Sequence, residues 1–116
     1  MLISLNFIIL NVSNVQKERD FYIEKMGLSI EAESPEFVQF KPVGGSTLAL
    51  QKVEHATPLS GGELWWMVDN ADATHDELAS RGARVVDELK DMPFGRVFAI
   101  EDPVGHKMNF FHLRQQ

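Results

Sequence analysis

Hydrophobic and polar residues alternate in short runs along most of the chain, and two longer stretches repeat at helical spacing instead. Alternation with many β-branched and aromatic residues predicts eight strands, at about 5–12, 28–33, 37–41, 47–53, 63–68, 83–89, 96–101 and 107–113. Helical spacing predicts helices over about 15–26 and 71–81, and the glycines that follow them, Gly27 and Gly82, are expected to end them.

The residues in front of each helix indicate how it begins. Ser13 and Gln16 have the spacing of a capping box, in which each side chain accepts the backbone N–H of the other residue. Asn70 is expected to cap the second helix, because asparagine is among the favoured residues at that position.

The order strand, helix, strand, strand, strand occurs twice, with shared landmarks. Val12-Ser13-Asn14 lies 56 positions before Val68-Asp69-Asn70, and Pro42-Val43-Gly44 lies 61 positions before Pro103-Val104-Gly105. We therefore predict an α+β chain that is a single domain over 1–116, built from two tandem βαβββ modules at about 4–53 and 63–114 with a linker at 54–62. Halves of this size are expected to share one core, because neither is large enough to bury its own.

Composition and charge argue against several classes of function. The 116 residues include no cysteine, which excludes a disulfide framework, a thiolate nucleophile and a cysteine-ligated zinc site. The net charge of −6 argues against a nucleic-acid partner. The apolar N-terminus is too short to span a bilayer and no basic residue precedes it, so we expect no membrane partner and a cytoplasmic location.

The motifs, taken in order, resemble those of the vicinal-oxygen-chelate superfamily, which includes glyoxalase I, the bleomycin-resistance proteins and the extradiol dioxygenases. The resemblance covers 5–113, and the residues that carry it are Leu10-Asn11-Val12-Ser13-Asn14, Phe21-Tyr22, Gly27-Leu28, Val68-Asp69-Asn70-Ala71-Asp72-Ala73, Arg81-Gly82, Pro93-Phe94-Gly95-Arg96 and Asp102-Pro103-Val104-Gly105-His106. It implies mixed sheets that curve into a cup, with the helices outside and a small-molecule ligand on the concave face. It also implies a homodimer.

The resemblance further implies where a metal would bind in members that depend on one. Their four ligands are usually His, Glu, His and Glu, and the corresponding positions here are Phe7, Ala49 (or Leu48), Glu63 and Asn109. Phenylalanine and alanine have no donor atom, so we expect no metal site and no cofactor. If the protein is an enzyme, the resemblance implies a glyoxalase-like lyase or isomerase.

Period-two alternation assigns the two faces of the predicted sheets. The ligand surface is predicted to be apolar and aromatic, with a few polar groups, and it consists of Phe7, Ile9, Asn11, Ala49, Gln51, Glu63, Trp65, Met67, Asn109 and Phe111. The other face is predicted to pack against the helices through Ile8, Leu10, Leu64, Trp66, Val68, Met108 and Phe110, and His112 shares that parity. Trp65 and Phe111 would hold a planar ligand between them, and Glu63 would pair with a ligand cation.

These residues leave three hypotheses for the function. The first is a metal-independent small-molecule binding protein of the glyoxalase/bleomycin-resistance type, which sequesters an aromatic or cationic compound. The second is an atypical lyase, isomerase or dioxygenase-like enzyme, with Glu63 as a catalytic base or a metal ligand. The third is a dimeric fold module without a ligand of its own, in which Phe7 only fills the cup, Trp65 lies at the dimer interface and Glu63 is solvated.

Overall fold

A computed structural model describes residues 1–114 of the chain. Its elements, in order, are β1 (Phe7–Val12), α1 (Val15–Glu24), β2 (Ile30–Ser34), β3 (Phe37–Phe40), β4 (Thr47–Lys52), β5 (Leu64–Met67), α2 (Ala71–Ser80), β6 (Arg84–Met92), β7 (Gly95–Glu101) and β8 (Lys107–Leu113). Each predicted strand and helix is present. The largest shift of an end is in β6, which continues to Met92 where the sequence predicts an end at Leu89.

The chain divides into two compact units, Met1–Thr57 and a second that begins at Pro58. The first unit contains a sheet of order β1-β4-β3-β2, and the second a sheet of order β5-β8-β7-β6. In both sheets the first strand runs parallel to the last strand, and the remaining pairs are antiparallel. The division falls inside the predicted linker at 54–62.

In the first unit, α1 packs on β3 and β4. The helix buries Tyr22 completely, with its ring 5.1 Å from that of Phe21 and 5.8 Å from that of Phe40. Strand residues that alternate toward the helix complete this core, and they are Leu10, Val12, Val38, Leu48 and Leu50. Burial of these apolar side chains is the main term that stabilises the unit.

In the second unit, α2 packs on β6, β7 and β8. Phe98 lies completely buried with its ring stacked on Phe110 at 5.2 Å, and Trp66 stacks on the same ring at 6.3 Å. Each unit therefore has a helix-facing core of its own. The expectation that neither half could bury a core was wrong, because α1 packs on β3 and β4, and α2 on β6, β7 and β8, over buried apolar side chains of their own sheets.

The first helix begins one residue later than a capping box at Ser13 requires. Asn14 is the cap: its backbone is extended and its side-chain oxygen accepts the N–H of Lys17 at 3.0 Å. The Ser13 hydroxyl instead accepts the N–H of Ala56 at 2.8 Å, and Gln16 donates to a carboxylate in the next helical turn. The predicted capping box was therefore wrong, because Asn14 is at least as good a cap as serine and stands directly before Val15.

The second helix starts and both helices end as predicted. The Asn70 side chain accepts the N–H of Ala73 at 3.1 Å. Gly27 and Gly82 adopt φ values of +77° and +86°, the left-handed conformation that closes a helix and that glycine adopts without strain. Neither ten-residue helix, nor any other helix within 1–114, is long and apolar enough to cross a membrane.

Candidate ligand-binding site

Each sheet has a face turned away from its own helix, called here the helix-distal face. In the second sheet, strand pairing places residues of this face in two rows, because partners across adjacent strands point to the same side. The rows are Trp65, Asn109, Ala99 and Asp87, and Met67, Phe111, Val97 and Lys90. Predicted ligand residues of the second module thus lie side by side on one surface.

Three aromatic rings form a cluster on this face. The ring of Trp65 lies 5.7 Å from Phe111 and 6.1 Å from Phe94, and the Phe94 and Phe111 rings are 6.1 Å apart. All three pairs meet edge to face, a favourable geometry for aromatic rings. Trp65 is 45% exposed and Phe94 41% exposed, so the cluster offers apolar surface to a ligand.

A cavity of about 200 Å³ lies beside the cluster. It is lined by Glu63, Trp65, Asp87, Lys90, Met92, Val97, Phe98, Lys107 and Asn109. Cavities that enclose a drug-sized molecule usually measure roughly 300–1,000 Å³. The cavity therefore fits one part of such a ligand, with the rest lying against the aromatic cluster.

Hydrogen bonds and one ion pair fix the polar groups of this cavity. The indole N–H of Trp65 donates to Glu63 Oε1 at 3.0 Å, which holds the carboxylate at the edge of the ring. The buried Asn109 donates from Nδ2 to the carbonyl of Leu64 at 3.1 Å. Lys107 forms an ion pair with Asp87 at 2.5 Å. Glu63 is exposed and accepts the indole N–H, so its visible role is to orient the indole.

Two shifts of register in β6 decide which of its charges face the cavity. The pairing shifts between Val85 and Asp87 and again between Asp87 and Lys90. In a regular strand, residues three apart point to opposite faces, whereas a bulge reverses that parity. Asp87 and Lys90 consequently lie on the same face and both line the cavity.

The predicted ligand residues of the first module lie in the first unit, on its helix-distal face. Ile9 is paired with Ala49, and Gln51 donates to Asn11 at 3.5 Å. Phe7 and Ile9 are nearly half exposed, at 43% and 46%. Ala49 is completely buried, so the predicted contact between its methyl group and a ligand has no accessible surface here.

Sequence reasoning missed seven residues of the site in the second unit: Asp87, Lys90, Met92, Phe94, Val97, Phe98 and Lys107. Lys107 lies two residues before Asn109 on β8 and shares its face, and Val97 is the strand partner of Phe111, so both were accessible to the same alternation argument. Asp87, Lys90 and Phe94 were not, because the first two depend on the bulges of β6 and the third lies in a turn.

On the helix-covered side of the second sheet, charged side chains of the strands bond to side chains of α2. Arg96 bonds Asp72 at 3.1 Å, and this guanidinium lowers the pKa of the Asp72 carboxyl. His75 bonds Asp76 at 3.0 Å and Glu88 at 3.2 Å, and these carboxylates raise the pKa of His75. His112 accepts the N–H of Ala71 at 2.7 Å, which confirms that it faces the helix.

The residues at the family's metal positions do not fit a divalent ion. Phe7 and Ala49 carry no donor atom, which leaves only the Glu63 carboxylate and the neutral amide oxygen of Asn109. Across residues 1–114, no group of three or more His, Asp or Glu side chains is placed to hold a metal ion.

The fold and these motifs match a known family. The model of the Glyoxalase/Bleomycin resistance protein/Dioxygenase superfamily matches residues 4–110, so the chain belongs to that superfamily. The α+β fold of two βαβββ modules is confirmed by this match and by the solved structures below. No curated protein matches the sequence.

Several solved structures are similar over nearly the whole chain. TnmS3, an antibiotic binding protein from Streptomyces sp. CB03234, is 30% identical, with a TM-score of 0.84 over 98% of this chain and 99% of that one. A glyoxalase/bleomycin resistance protein from the same organism is also 30% identical, with a TM-score of 0.76 over 93% of this chain and 99% of its own. A glyoxalase-related enzyme from Fulvimarina pelagi shares the fold at 18% identity, with a TM-score of 0.82 over 96% and 88%.

Proposed function

We propose that this protein binds a planar aromatic small molecule on the helix-distal face of the second sheet, without a metal ion and without breaking a bond. The observation that carries the proposal is the half-exposed cluster of Trp65, Phe94 and Phe111 beside a cavity with polar walls. The likeness to an antibiotic binding protein at 30% identity supports sequestration as the role.

The affinity of such a site comes from apolar surface removed from water. Each Å² buried contributes roughly 25 cal/mol, and aromatic pairs add about 0.5–1.5 kcal/mol beyond that area. The hydrogen bond from Trp65 to Glu63 fixes the indole before the ligand arrives, which reduces the entropy lost on binding. Glu63 therefore serves the site by positioning the ring.

The first unit is proposed to supply a second ligand-facing surface through Phe7, Ile9 and Gln51. We also propose a homodimer. It is supported by the apolar N-terminal segment, since Leu2, Ile3 and Leu5 are each more than 90% exposed, and such surfaces mark contacts with other molecules. Sedimentation equilibrium measures this directly, and a monomer at high protein concentration would refute it.

A thermal-shift screen of neutral planar aromatic compounds, followed by calorimetric titration, tests the proposed site. We expect Trp65→Ala to weaken the binding of any hit at least tenfold, because about 1.4 kcal/mol of stacking and burial is lost. Glu63→Gln should bind within about twofold of the native protein, since the amide oxygen still accepts the indole N–H. An unchanged affinity in Trp65→Ala would remove the site from the aromatic cluster. If Phe7→Ala abolishes binding while Trp65→Ala does not, the ligand binds to the first unit instead.

A further inference from the structure

We propose that Lys90 selects ligands that carry an ionised oxygen on the aromatic ring system, so that the favoured ligands are planar aromatic acids. This inference rests on the proposed function, because it concerns the same cavity. It adds a chemical class that the aromatic cluster alone does not specify.

The placement of Lys90 depends on the two register shifts in β6. They bring Lys90 into the row of Val97, Phe111 and Met67, so that its side chain starts on the helix-distal face. Bulges occur frequently next to binding and active sites, where they redirect a side chain. The second bulge thus brings an ammonium group to the wall of the cavity, one strand beyond Val97.

The other charges of the cavity leave Lys90 available for a ligand. Lys107 is neutralised by Asp87 at 2.5 Å, and the Glu63 carboxylate accepts the Trp65 indole N–H at 3.0 Å. In the described chain, residues 1–114, Lys90 takes part in no ion pair. A cation at the wall of a cavity, without a protein counterion, favours an anion there.

The positions of Glu63 and Lys90 also orient the ligand. A negative group beside Glu63 would be repelled, whereas the same group beside Lys90 gains a charge-assisted hydrogen bond. The ring system then lies against Trp65 with its acidic substituent turned toward β6. A partly exposed pair of this kind is worth up to about 1 kcal/mol, or about fivefold in affinity, and weakens with salt.

Two probes with the same ring system, anthracene-2-carboxylate and anthracene-2-carboxamide, test the selection by calorimetric titration. We expect the native protein to bind the carboxylate about fivefold more tightly at low ionic strength, and the preference to shrink as salt is added. Lys90→Gln should remove the preference, so that the carboxylate binds no more tightly than the carboxamide. Lys90→Arg should retain it, because the positive charge remains.

Lys17→Gln is the matched control, since it removes an equivalent exposed charge from α1 of the first unit and should keep the native preference. Equal binding of the two probes, or a preference that survives in Lys90→Gln, would overturn the role of Lys90 and leave the aromatic site standing. Tighter binding of the ammonium analogue 2-(aminomethyl)anthracene would also overturn it and point to Glu63. If the native protein binds none of the three probes, the proposed function fails and this inference fails with it.

Discussion

The two units share one plan, and the helix-distal faces of their sheets differ in charge at the edge strands β2 and β6. In the first sheet the corresponding rows are Ile9, Ala49, Gln39 and Ala32, and Asn11, Gln51, Phe37 and Ser34. In the second they are Trp65, Asn109, Ala99 and Asp87, and Met67, Phe111, Val97 and Lys90. Thus the small neutral pair Ala32 and Ser34 stands where the second unit has Asp87 and Lys90.

The spacing of these edge residues explains the difference. Ala32 and Ser34 are two apart, as regular alternation requires, whereas Asp87 and Lys90 are three apart and meet on one face only through a bulge. The longer β6 also carries the turn that delivers Phe94 to the aromatic cluster. The charged part of the site therefore differs between the two units through local differences in a single edge strand.

The helix-facing cores should respond alike in the two units. Phe40→Ala and Phe98→Ala each remove a completely buried ring, and each should lower the free energy of unfolding by about 3–5 kcal/mol, measured by urea denaturation. Phe94→Ala is the control, since this ring is 41% exposed and should cost well under half as much. A small effect for one of the two buried rings would break the equivalence of the cores.

The amide side chains of the two helix-distal faces, Asn109 and Gln51, should differ in what they contribute to stability. Asn109→Ala leaves the Leu64 carbonyl without its amide donor, and we expect a loss of about 1–3 kcal/mol of stability. Gln51→Ala in the first unit removes only a hydrogen bond of 3.5 Å on an exposed side chain and should cost at most about 0.5 kcal/mol. Equal costs in chemical denaturation would mean that the Asn109 bond does not secure β5.

The N-caps of the two helices, Asn14 and Asn70, should contribute equally to stability, each by less than either of the two buried rings. Asn14→Ala and Asn70→Ala each remove the acceptor of one N–H at a helix start, and each should cost about 1 kcal/mol. Helicity by circular dichroism and the urea midpoint report the loss. A larger effect of Ser13→Ala on helicity than of Asn14→Ala would restore the capping box that the structure contradicts.

The ion pair between the helix and the edge strand should contribute pH-dependent stability in the second unit and pH-independent stability in the first. Arg19 joins α1 to Glu33 of β2, and its charge does not titrate near neutrality. His75 joins α2 to Glu88 of β6, and bonds to Asp76 and then Glu88 raise its pKa despite its burial. Because the folded pKa is raised, this contribution is complete below the unfolded value and disappears as pH rises through the folded one.

The measurement is the melting temperature across about pH 6–9. The native protein should lose its advantage over His75→Gln as the pH rises. Arg19→Gln, the control in the first unit, should differ from the native protein by a nearly constant amount over the same range. A pH-independent gap for His75→Gln would show that its bonds to Asp76 and Glu88 contribute no charge-dependent stability.

The alternation of hydrophobic and polar residues, together with the turn residues, was sufficient to predict the order of the strands and helices. Asn70, Gly27 and Gly82 mark helix ends by local chemistry, and the structure places them as expected. The parity of Trp65, Asn109 and Phe111 likewise follows from period two. The start of α1 at Val15 was predicted correctly, but its cap was assigned to Ser13 and not to Asn14, because the two residues are comparable caps and Ser13 instead bonds the backbone of Ala56.

What the sequence determined by itself is what short-range chemistry controls: the βαβββ plan, repeated, the faces of regular strands, and the loss of donor atoms at Phe7 and Ala49. Only the tertiary structure decided that each unit buries its own core and that Phe94, Asp87 and Lys90 join the site. A bulge changes the facing of every residue after it, and it depends on the pairing of β6 with β7. That pairing is a property of two strands together, which the alternation within one of them does not encode.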